Sequence, residues 1–285
     1  MYGLVVIAVI MFGCMFLTNE KYQKEVGSGV FQAMLFNLLC CALGLPIMIV
    51  INGFRIEYTH FTLIMACIGF LNSVLCTVCT LKAFERVNLS VFSLLSMLGG
   101  MLLPLFAGIF FYGEKFTLGV GLCVAFVIAA LLLTVNKGDK KKKGGFFIYA
   151  GVFVFNGMSG VISKIYTDAS YPKATSAGYS ILSAIVMAVV SLIFIVVLWK
   201  KRPQISLKSI FFGIASGPLS RVANWLLLIA LTVLPASVNY PMVTGGTIIV
   251  STLLSYFTPQ KPRWREWLAV ALSFTGIMLL TLLPI

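Results

Sequence analysis

The stretch KAFERVNLSVFSLLSMLGGMLLPLFAGIFFYGEKFT, residues 82–117, has a counterpart in IALTVLPASVNYPMVTGGTIIVSTLLSYFTPQKPRW, residues 229–264. Ala83 falls on Ala230 and Ser90 on Ser237. After a slip of one residue, Gly99-Gly100 falls near Gly245-Gly246 and Lys115 falls on Lys261. Each copy ends in a short basic turn and one more apolar run, 116–135 in the first and 265–283 in the second. Matching run order, loop lengths and glycine pairs read as an internal repeat, whose spacing organises everything around it.

The chain has 285 residues, 60% of them hydrophobic and 10% charged, with a mean hydropathy of +1.04. Soluble domains average about 25% charged residues, so this composition places the chain in a bilayer. A criterion of about 20 apolar residues per crossing gives ten spans: 2–18, 29–52, 61–81, 89–112, 116–135, 145–165, 174–199, 209–231, 237–258 and 265–283. These have to be helices, because only helices or closed barrels satisfy the backbone in hydrocarbon and barrel strands alternate in polarity. The first run lacks a basic leader and a small-residue cleavage site, so it reads as a span. Phe110, Phe111, Tyr112, Trp199, Trp264 and Trp267 lie at span ends, where amphipathic rings meet headgroups.

Five spans per copy is an odd number, so the two copies lie in the membrane with opposite orientation. The expected fold is all-α, two inverted five-helix repeats at 1–136 and 145–285, joined by a lysine-rich linker at 137–144. Inverted repeats are a signature of alternating-access transporters, with the site near the midplane where the repeats meet.

The formal net charge of +13 invites a nucleic-acid reading, which the loops remove. Loops after odd-numbered spans hold 16 basic residues, and loops after even-numbered spans hold 4, namely Arg55, Lys115, Lys164 and Lys173. That split is a positive-inside pattern. It places the odd loops in the cytoplasm, both termini outside, and the protein in the cell membrane. The twenty-first basic residue is Arg221, inside the eighth span.

The stretch LLPLFAGIFFYGEKFTLGVG (102–121) resembles the signature of the EamA-like family of the drug/metabolite transporter superfamily. A proline-bearing helix (Pro104) leads to a Gly-Glu turn (Gly113-Glu114) and a last helix with an early glycine (Gly121). The second copy departs from it, with Pro259-Gln260 at the turn and Gly276 as the surviving glycine. The resemblance implies a basket whose cavity is lined by the first four helices of each repeat, with the fifth helices peripheral. Members often keep their termini in the cytoplasm, against the loop count.

Arg221 lies about 18 Å from Ser209 at 1.5 Å per residue, too far for easy snorkelling. The eight acidic residues all fall at span ends or in loops. Pro218 frees the carbonyl of Ile214, and Gly217, Asn224 and Trp225 share the Arg221 stripe. A guanidinium beside an amide and an indole suits a carboxylate or phosphate. Asn37, Asn72, Asn156 and Tyr240 follow as candidates, since an amide in hydrocarbon needs partners it cannot find alone. Thr244 completes the substrate-binding set, and Ser73, Thr77, Ser159, Ser163, Ser180, Ser183, Asn239 and Thr247 are further polar residues of the spans.

Cys14, Cys40, Cys41, Cys67, Cys76, Cys79 and Cys123 all lie in apolar runs, which argues against a disulfide framework. Cys76 and Cys79 share a helix face without an accompanying His or acid, so no metal site and no cofactor are expected. A single histidine at a span edge and the lack of an intramembrane acid weigh against an enzyme. The expectation is a permease for a small, anionic or zwitterionic metabolite such as an amino acid or organic acid, with the bilayer and that substrate as its partners. A flippase for a lipid-linked substrate and an organic-cation transporter are the alternatives within the same fold. The oligomeric state stays open, a monomer included.

Overall fold

In hydrocarbon each peptide group has to bond within its own segment, and the chain meets that demand with helices throughout. The computed structural model describes residues 2–86, 89–113, 115–134, 145–201, 204–256 and 264–283, and these contain ten α-helices. They are α1 (Tyr2–Val26), α2 (Val30–Ile51), α3 (His60–Phe84), α4 (Leu89–Tyr112), α5 (Leu118–Thr134), α6 (Gly145–Asp168), α7 (Ser176–Val197), α8 (Leu207–Leu231), α9 (Ala236–Ser255) and α10 (Trp264–Leu282). Six of them, α1, α2, α3, α6, α7 and α8, are long and apolar enough to cross a membrane. Helix α9 carries Ser237, Asn239, Thr244, Thr247, Ser251, Thr252 and Ser255, which lower its hydropathy. Glu114 of the Gly-Glu turn, the lysine-rich stretch 137–144 and Pro259-Gln260 lie outside the described residues.

Helix starts follow local chemistry. Thr59, Thr175 and Ser206 accept hydrogen bonds from the amides of Thr62, Gly178 and Ser209 and cap α3, α7 and α8. Gly113 ends α4 with φ 65°, a left-handed conformation that favours glycine. Helix α1 runs two turns beyond the apolar stretch 2–18, because a helix continues as long as its polar residues find partners. Tyr22 donates to the carbonyl of Gln32 at 2.9 Å, and Glu20, buried, pairs with Lys24 at 2.5 Å. Lys164 is likewise a helix residue and not a loop one: it is buried in α6 and paired with Asp168 at 2.9 Å.

Helix α1 packs on α8 and α9, α2 on α7 and α8, α3 on α6 and α7, α4 on α6 and α9, and α5 on α10. Glycines set the tightest crossings. A Cβ on Gly217 would lie 2.0 Å from the carbonyl oxygen of Cys40, and one on Gly99 would lie 1.9 Å from that of Phe153. These backbones touch, as small residues permit between membrane helices. The outer surface is apolar: Val6, Ile7 and Ile10 on α1, Ile64, Leu71 and Leu75 on α3, and Ile193, Val196 and Val197 on α7 are exposed. Apolar exposure on this scale suits lipid, not water.

Loop contacts sort by parity. Ser28 bonds Glu85, and Ser206 donates to Glu25, so the loops after α1, α3 and α7 share one end. At the other end Thr175 donates its amide to Glu57, joining the loops after α2 and α6.

Candidate functional site

Between the helices lies a cavity of about 310 Å³, lined by residues of α1–α4 and α6–α9 and by none of α5 or α10. Small-molecule sites span roughly 300–1,000 Å³, so this one suits a small ligand. It is elongated along α3, which contributes wall from Gly69 to Leu81. Arg221 is the one charged residue among the described residues of the wall.

Arg221 is half-buried. Its Nη1 donates to Ser183 Oγ at 2.9 Å and approaches the Ser180 carbonyl at 3.5 Å, and its Nη2 lies 3.9 Å from Cys41 Sγ. All three partners are neutral, and no described acid lies within salt-bridge range of the guanidinium. Helices α2 and α7 thus hold the cation against α8 without neutralising it. Gly44 makes room for its stem, since a Cβ there would sit 3.0 Å from Arg221 Cγ.

Seven of the eight residues singled out from the sequence line the cavity: Arg221, Asn224, Asn156, Asn37, Asn72, Tyr240 and Thr244. Asn72 donates to the carbonyl of Phe155 at 2.9 Å and to Ser159 Oγ at 2.8 Å. Asn156 donates to the carbonyl of Ser96 at 2.5 Å, and Asn224 to that of Ser220 at 2.8 Å. Asn37 accepts from Thr77 at 3.2 Å, while its Nδ2 is buried without a partner. Tyr240 donates to the carbonyl of Gly160 at 2.9 Å.

Trp225 departs from the expectation. It packs among apolar residues, with Met48, Ala177 and Ile181 on one side, and is not part of the wall. The helical wheel gives the reason. The wall residues of α8 (Ser216, Ser220, Asn224, Leu227, Leu228 and Arg221) cover one flank of the helix, with Arg221 at its edge. Trp225 lies about 40° beyond Arg221 on the other flank at roughly 100° per residue. Gly217 also differs: it serves the crossing with α2 and opens no space for ligand. Helix α8 continues unbroken through Pro218, so the proline does not split it.

Spacing and composition do not single out Tyr179, Asn19, Ser96 or Thr80, which the fold brings into the wall. Asn19 accepts from Ser216 at 2.6 Å. Tyr179 stacks on Tyr166 at 4.3 Å, and Tyr166 stacks on Phe61 at 6.0 Å. Behind that stack, Tyr166 donates to the Ala174 carbonyl at 2.6 Å, and the Ala174 amide donates to Thr62 at 3.0 Å. Of this cluster Tyr179 reaches the cavity wall, and Ala174 ties it to the loop after α6.

The sequence profile of the EamA-like transporter family matches residues 142–282, which span α6 to α10. Over that stretch, just under half of the chain, the protein is similar to the EamA-like transporter family. That match, to a branch of the drug/metabolite transporter superfamily, and the apolar helices point to a multi-pass membrane transporter. The resemblance visible at Pro104 and Gly113-Glu114 lies in the other half, ahead of the matched region. A solved crystal structure shares the fold at a TM-score of 0.67 and 17% identity, over 97% of this chain and 96% of its own. At that identity the likeness speaks for the fold alone. Among curated proteins there is no match.

Proposed function

We propose that the EamA-like chain is a secondary transporter that moves a small anionic or zwitterionic metabolite, such as an amino acid or organic acid, across the cell membrane by alternating access. The observation that carries the substrate class is Arg221, the one charged residue of the described wall, held by neutral partners. A guanidinium has five N–H donors in a planar fork, and only a few are engaged here. The remainder suits the two oxygens of a carboxylate. With no acid in the described wall to balance it, an organic cation would meet uncompensated positive charge.

The mechanism rests on two inverted repeats, 1–136 and 145–285. Adding or subtracting five from the helix numbers exchanges the contacts: α1–α8 with α6–α3, α1–α9 with α6–α4, and α2–α8 with α7–α3. The pairs α2–α7, α4–α9 and α5–α10 map onto themselves. Such a two-fold pattern supports a site between two units that rock about it. The family match, confined to 142–282, supports the same division. Val74, offset by 147 from Arg221, packs between α2 and α7 beside Cys41 and Met187, much as Arg221 does with Cys41 and Ser183. The repeat therefore carries its charge on one side only. Residues Asn37, Asn72, Asn156, Asn224, Tyr240 and Thr244 complete the proposed contact set.

A thermal-shift screen of purified protein against amino acids, organic acids, nucleotides and amines tests the reading. Stabilisation by carboxylates in wild type, lost in Arg221→Gln, is the expected result. Stabilisation by amines alone contradicts it.

A further inference from the structure

A different wall of the cavity, carried by α3 and α6, is built from amides whose orientation the fold dictates. Asn72 points its Nδ2 at the carbonyl of Phe155, and Asn156 points its own at that of Ser96. On α8, one turn from Arg221, Asn224 points its Nδ2 at the carbonyl of Ser220. A backbone carbonyl can only accept. Each of these amides must therefore turn its NH2 toward the carbonyl and its own oxygen away. None of the three amide oxygens accepts a hydrogen bond from a described residue, and none is among the atoms sealed from the cavity. Asn72 is buried, Asn156 half-buried and Asn224 open to the cavity, so a transported ligand or water is what these oxygens can meet.

We propose that the amide oxygens of Asn72, Asn156 and Asn224 form a second subsite that accepts hydrogen bonds from a protonated amine, which makes the substrate a zwitterion. The carboxylate lies on Arg221 and the ammonium on the amide oxygens; this assignment rests on the reading of Arg221 given above. An ammonium brings three N–H donors and a hydroxyl one, and the three amides stand in the wall of one cavity. A second carboxylate would face acceptor oxygens and be repelled. The cavity is thus polarised, with donors where α7 and α8 meet and acceptors on α3, α6 and the neighbouring turn of α8. Net neutrality of the ligand also fits a wall whose single described charge is answered by the carboxylate alone.

The test uses wild-type protein and matched ligands, so it does not depend on a variant folding. Binding is measured by calorimetry for each L-amino acid, its des-amino carboxylic acid, its α-hydroxy acid and its decarboxylated amine. The expected result is that at least one amino acid binds, and that each of its three analogues binds at least ten-fold more weakly. A des-amino or α-hydroxy acid that binds within three-fold of the amino acid overturns the ammonium subsite and leaves Arg221 in place. An amine that binds as well as the amino acid overturns the Arg221 reading instead. No binding by any member of the panel overturns both. As a second measurement, Asn224→Ala removes an amide whose only hydrogen bond is to its own helix. It is expected to weaken the amino acid about ten-fold and leave the des-amino acid unchanged; equal loss for both contradicts the subsite.

Discussion

A central arginine costs about 2.5–3.5 kcal/mol on insertion scales, and Arg221 is accommodated because its head lies at a cavity wall with a hydroxyl and a carbonyl beside it. Ser183 is then a positioning residue. Ser183→Ala is expected to weaken carboxylate binding several-fold while leaving the protein folded, as calorimetry on the purified variant would show. Gly44→Ala presses on the Arg221 stem and is expected to reduce binding more than it reduces melting temperature. The polar members of the site were legible because an amide or a cation in hydrocarbon needs an explanation, and Arg221, Asn37, Asn72, Asn156 and Asn224 all demanded one. Trp225 was misplaced because spacing fixes a helix face but not which flank of it meets the cavity. Ser183 and Tyr179 were not distinguishable from the serines and tyrosines that bond neighbouring helices, since their value comes from what α8 and α6 set against them.

Helices were legible from apolar length, but their ends were not. Asn19, Glu20, Tyr22 and Gln23 look like loop, yet all are buried in α1 because the odd-loop end of the bundle packs around them. Crossings were equally hidden, since a glycine does not announce its partner. Gly217 against Cys40 and Gly99 against Phe153 leave no space for a methyl group. Gly217→Ala and Gly99→Ala are each expected to destabilise by about 1–3 kcal/mol, the range for overpacking. Gly3, with nothing within 4 Å of a built Cβ, is the control, and Gly3→Ala is expected to stay within about 0.5 kcal/mol of wild type. Melting curves of the three variants in one detergent check this ordering.

At the scale of the whole molecule, the uneven distribution of basic residues is the feature on which the proposed orientation rests. By the apolar spans sixteen follow odd-numbered spans against four after even-numbered ones, and the placement of Lys164 inside α6 lowers the four to three. The loop contacts place odd loops with odd and even with even. The proposed orientation has even loops outside. Gly53→Cys, after α2, is expected to react with a membrane-impermeant maleimide on intact cells, and Gln204→Cys, before α8, only after permeabilisation. The reverse pattern turns the protein over in the membrane without touching the site. The central claim is that an uncompensated guanidinium in the cavity selects the substrate. Its most direct test is transport of a labelled carboxylate-bearing metabolite, chosen by the binding screen, into proteoliposomes containing wild type or Arg221→Gln. The account predicts uptake by wild type and at least a ten-fold loss in the variant, with its melting temperature retained. Equal uptake by the two proteins would contradict it.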